Sequence, residues 1–132
     1  MIYPLIFEGL RNGGTFLLDE TTKAAIAQDP TQIEGKIVAL TDNFTVGYGS
    51  ANDVPLGFVE KVEQDKSGSS NWVVSVVWNQ SREDIPCAGS ETAGSYLACD
   101  GSGGVSASTT STSARCWGVD ATEKVATVYI HG

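Results

Sequence analysis

The sequence predicts an all-β protein, a small β-barrel or β-sandwich with an N-terminal extended arm or short helix, and three observations carry that reading. Charged residues make up 18% of the 132-residue chain, below the usual value of about a quarter, and 15 glycines with many Ser and Thr stand in their place. From Ile33 onward, short apolar runs alternate with turn residues, which is the punctuation of strands and hairpins. The run from Trp72 to Trp78 is almost wholly β-branched and aromatic, the composition that fits a pleated surface. The length suits one domain, since domains cluster near ~100–150 residues.

The elements follow in order. Residues 1–32 read as an N-terminal arm with room for a short helix, and residues 33–132 as the β domain. The arm opens with Ile2, Tyr3, Leu5, Ile6 and Phe7, broken at Pro4 and then by Gly9, Gly13 and Gly14. Such a segment has too little material for a core of its own. Its apolar side chains are therefore expected to dock on a neighbouring subunit, on a partner or on their own barrel, with the intermolecular contact preferred. Asp19 to Pro30 reads either as a two-turn helix, capped by Asp19 and stopped by Pro30, or as a loop with one helical turn.

Strands are expected at Lys36–Leu40, Phe44–Tyr48, Pro55–Val62 and Trp72–Trp78, with an exposed loop over Asp65–Asn71. Both faces of Trp72–Trp78 are apolar, so that strand is either central in a two-layered body or covered by another chain. Further runs lie at Tyr96–Cys99, Gly104–Val105, Arg115–Val119 and Val125–Ile130. Asp100–Gly104 supplies the positive φ angles of a hairpin turn. Ser106–Ser113 reads as a polar loop or a weak edge strand.

The sequence offers little catalytic equipment. Its one histidine, His131, stands next to the C-terminal residue, a poor place for a precisely held base. Cys87, Cys99 and Cys116 have neither the spacing of a zinc site nor an even count, so they are read as reduced thiols. Glu60, Glu63, Asp65, Glu83, Asp84 and Asp120 could pair as a glycosidase acid and base, but nothing in their spacing marks two of them as facing one cleft. The expectation is no catalytic residue, no metal and no cofactor. Sixteen acids against eight bases give a net charge of −8 and disfavour nucleic acid and anionic membrane as partners. The N-terminus lacks the basic region and cleavage site of a signal peptide.

Four pieces of the β region resemble the capsid decoration (cement) and head-fibre proteins of tailed bacteriophages. Gly35–Asp42 is similar to a "G-x-x-V-x-L-T-x" opening, Pro55–Val59 to a "P-x-G-V" strand, and Gly94–Val105 to a "G-x-x-L-x-x-D-G-x-G-x-V" hairpin. Arg115–Val119 stands where that family has a late strand. The resemblance spans about residues 33–130. It implies a non-enzymatic protein on the outer surface of the virion head, assembled in the bacterial cytoplasm. Such a protein is usually a homotrimer that clamps neighbouring copies of the major capsid protein. Ile2, Tyr3, Leu5, Ile6, Phe7, Trp72 and Trp78 are then the expected capsid or inter-subunit contacts. The alternative is a carbohydrate-binding β domain on a phage head or tail, with Trp72, Trp78, Trp117 or Tyr96 as stacking platforms.

Overall fold

Among the residues that the computed structural model describes, 12–64 and 72–132, ten strands and one short helix follow in sequence order. Strand accounts for 49% of the chain and helix for 9%, so the chain is all-β as its turn spacing predicts. Strands β1 (Gly13–Leu18), β2 (Ile37–Asp42), β3 (Thr45–Gly47), β4 (Gly57–Gln64) and β5 (Trp72–Val77) close into a barrel in the order β1-β3-β2-β4-β5. Strands β6 (Gln80–Pro86), β7 (Tyr96–Cys99), β8 (Val105–Ala107), β9 (Ala114–Asp120) and β10 (Val125–Ile130) form a second sheet, ordered β6-β10-β9-β7-β8.

The barrel closes through β1, and this corrects the expected boundary at residue 32. Residues 13–18 are a stave of the barrel, antiparallel to β5 from Gly13↔Val77 to Leu17↔Val73 and parallel to β3 at Leu17↔Thr45. A parallel pair needs a long crossover, supplied here by helix α1 (Glu20–Ala25), a 3-10 turn (Pro30–Ile33) and β2. Gly13, which the sequence reading treats as punctuation, is needed for close approach instead. A Cβ there would lie 2.7 Å from the Val76 carbonyl oxygen. Ile2, Tyr3, Leu5, Ile6 and Phe7 lie outside the described residues, as does the loop expected over Asp65–Asn71.

Helix α1 starts where its cap predicts, with Asp19 Oδ1 accepting from the Thr22 amide at 2.8 Å. It ends at Ile26, short of Pro30, and Pro30 opens the following 3-10 turn. Proline suits such a first position because it lacks only an amide that would have no partner there. The expected turn at Asp100–Gly104 joins β7 to β8, with Asp100 Oδ1 accepting from the amides of Ser102 and Gly104. After β8 the Ser/Thr-rich segment leaves the sheet, and Thr112 Oγ1 and Ser113 Oγ donate to the carbonyls of Leu97 and Pro55.

Strand β6 has no counterpart in the sequence reading. Its residues, Gln-Ser-Arg-Glu-Asp-Ile-Pro, bury only Ile85 fully, because β6 is an edge strand paired on one side to β10. Strand β5 buries Val74 and Val76 and keeps Val73, Ser75 and Val77 half-buried. Barrel and sheet share one core, in which Phe58, Ile37 and Val76 from the barrel join Leu97, Val128 and Ile130 from the sheet. Each such side chain stabilises the fold by roughly 1.5–3 kcal/mol through burial before ordering costs.

Candidate functional site

The outer face of the second sheet is built around Thr127 on β10. On one side, β9 pairs in register from Ile130↔Ala114 to Val128↔Cys116 and resumes at Thr127↔Gly118, which leaves Trp117 as the extra residue of a bulge. On the other side, β6 pairs Val128↔Arg82 and Ala126↔Ile85, so Glu83 and Asp84 together oppose Thr127. Asp84 takes a left-handed backbone, φ 62°, that aspartate tolerates better than most residues. Both neighbours of β10 therefore bulge at the same level, a device that re-aims side chains.

Alternation along β9, with Ala114 and Cys116 buried and Arg115 and Trp117 exposed, puts Trp117 on the outer face, where its indole lies parallel to the Tyr129 ring at 4° and 5.1 Å between centroids. Trp117 is still 58% exposed. Next along the row, the Arg115 guanidinium sits 4.4 Å over the Tyr96 ring and donates through Nε and Nη2 to the Gly94 carbonyl. Beyond Gly118 lies an open depression of about 310 Å³ lined by Thr127, Glu83, Asp84 and Asp120 among others. The Asp120 carboxylate also accepts from the Thr122 and Glu123 amides.

The expected site residues divide. Trp78 is buried in its own chain, 6.4 Å from the Phe16 ring, and is not available as an outward contact. Trp72 is half-buried against the same core. Of the named stacking candidates, Trp117 and Tyr96 lie on the outer sheet face. Of the named carboxylates, Glu83, Asp84 and Asp120 share the depression, while Glu60 and Glu63 lie exposed on β4 and Asp65 is outside the described residues. His131 is exposed, with Nδ1 3.4 Å from the Gly132 carbonyl oxygen. Tyr129 is the functional candidate that the sequence reading missed. The pairing Tyr129↔Arg115 makes Tyr129 the diagonal neighbour of Trp117 on the outer face, and that register is not written in either strand's own alternation.

On the inner side, the loop after β6 is held down by Glu91, a buried acid. Burial alone would raise its carboxyl. The amides of Glu91, Gly89 and Ala88 and the Cys87 thiol outweigh that and hold it below the usual carboxylate range. Cys87, Cys99 and Cys116 are all free thiols. Burial pushes each of them up, and Cys99, also facing Asp53 and Asp100, reaches about 12. Among the described residues no group of three or more His, Cys, Asp or Glu is placed to hold a metal ion. A second surface feature is a groove at the barrel rim, where Leu40 and Val54, 55% and 57% exposed, stand with Pro55 and Leu56. No protein-family model matches the chain, and no curated protein matches its sequence.

Proposed function

We propose that the chain is a non-enzymatic capsid decoration protein, which binds the outer surface of an assembled phage head and clamps neighbouring copies of the major capsid protein. One observation supports this reading above the others: the four sequence pieces that carry the resemblance meet at one seam of the fold. Gly35–Asp42 leads into β2, which pairs with β4 at Ile37↔Phe58 within the second piece. Gly94–Val105 covers β7 and its turn to β8, and β7 pairs with β9 at Leu97↔Ala114, beside the fourth piece. The two halves are then joined, because the Ile37 amide of the first piece donates to the Gly103 carbonyl of the third at 2.9 Å. The matched residues form one packed unit and are not scattered turn glycines.

The rim groove at Leu40 and Val54 supplies an exposed apolar surface for the capsid, and burying two such side chains contributes roughly 1.5–3 kcal/mol each. The net charge of −8 keeps free subunits soluble and off the packaged DNA. The test is sedimentation of the purified chain with expanded, undecorated heads of the phage whose genome encodes it. The chain should travel with expanded heads and stay at the top with free DNA. A chain left at the top in both cases contradicts the reading.

A further inference from the structure

We infer that the outer face of the second sheet, from Trp117 across Gly118 to Thr127, is a binding site for a neutral carbohydrate chain. This inference is independent of the decoration reading, because it rests on a different surface. Two bulges meet at the level of Thr127, one on each neighbouring strand, and the depression lined by Gly118 and Thr127 lies at that level, beside the outward-facing indole of Trp117. Gly118 lines the depression, and a Cβ on it would meet nothing within 4 Å, so the surface next to Trp117 is open to a ligand. Tyr129 stacks on Trp117 nearly parallel, and this fixes the ring on a rigid strand pair before any ligand arrives. Holding an aromatic platform in place beforehand reduces the ordering cost of binding.

The chemistry of the surroundings selects the ligand. Parallel rings offer one flat outer face, which suits the flat apolar side of a pyranose. Glu83, Asp84 and Asp120 line the depression with carboxylates, whose oxygens accept from hydroxyls, and Thr127 adds a group that both donates and accepts. Those carboxylates repel phosphate, which bars a nucleotide from the same flat surface. The nearby cation, Arg115, is turned onto Tyr96 and the Gly94 carbonyl. A flat apolar ring face, several hydroxyls to donate to the carboxylates and no anionic group describe a neutral sugar, and hexalysine in the titration below supplies the cationic competitor.

Calorimetric titration of the full chain with cello-, malto-, xylo-, manno- and chitohexaose tests the inference, with hexalysine and a thymidine oligonucleotide as the competing chemistries. At least one hexasaccharide should bind. Trp117→Ala should weaken that binding roughly tenfold or more, the scale of losing one stacking platform. Gly118→Val should block it with Trp117 intact, and Trp72→Phe should leave it unchanged. Trp117 is exposed and Gly118 faces open space, so both variants should keep the wild-type circular dichroism spectrum. Binding of no hexasaccharide, binding unchanged in Trp117→Ala and Gly118→Val, or binding of hexalysine or the oligonucleotide alone would overturn the inference.

Discussion

A single buried carboxylate shows how this fold spends its polar groups. Glu91 accepts from Gly89 N at 2.9 Å and Ala88 N at 3.3 Å, and so ties down the connection from β6 to β7. Glu91→Ala strands those amides and should destabilise the protein by about 1–3 kcal/mol in urea unfolding. Glu91→Gln keeps an acceptor and should cost less. Because its carboxyl is held below the usual range when folded, the carboxylate's contribution is complete above the unfolded value. It is lost as pH falls through the folded one. The difference between wild type and Glu91→Gln in urea midpoint should therefore shrink from about pH 7 to about pH 3. A constant difference would show that the charge of Glu91 is not what holds the loop. Thiol titration without reductant should find three thiols in denaturant, while native Cys99, buried and raised to about 12, stays silent. Fewer than three in denaturant would reveal a bridge.

At the scale of elements, glycines decide where backbones meet. Gly13 on β1 and Gly57 on β4 both press on the end of β5, and a Cβ on Gly57 would lie 2.5 Å from the Val77 carbonyl oxygen. Gly57→Val should therefore cost about 1–3 kcal/mol by overpacking, measured by thermal unfolding. Gly118→Val on the open face should be near neutral, and equal losses would contradict this account of the closure. The same contrast explains what the sequence made legible. Short-range chemistry is readable: the Asp19 cap, the Asp100–Gly104 turn, and strands β2, β3, β4, β5, β7, β9 and β10 from their apolar runs. Strand β6 is not, because an edge strand with Arg82, Glu83, Asp84 and Pro86 shows no apolar alternation. Strand β1 reads as arm from sequence because its glycines look like turns until β5 is known to lie against them. At the candidate site, Trp117 and Tyr96 stand out by residue type, whereas the meeting of Tyr129 with Trp117 depends on strand register and the depression on bulges, neither of which a single strand's spacing reveals.

For the whole molecule, two sheets around one core account for residues that first suggested a subunit seam. Val74, Val76 and Trp78 are buried within the chain and Val73 and Val77 are half-buried, so β5 gives little reason of its own to expect an oligomer. The proposed homotrimer rests on the resemblance to decoration proteins. Light scattering on a sizing column should give three times the 13.9 kDa chain mass, whereas a monomer in solution and on heads would contradict it. The central claim is that the chain clamps a shell from outside, and a clamp adds contacts that must break before the shell opens. Heating DNA-filled heads with and without the bound chain, while following dye access to the released DNA, tests that most directly. Release at a higher temperature from decorated heads is the predicted result, and release at the same temperature with the chain still bound would contradict the account.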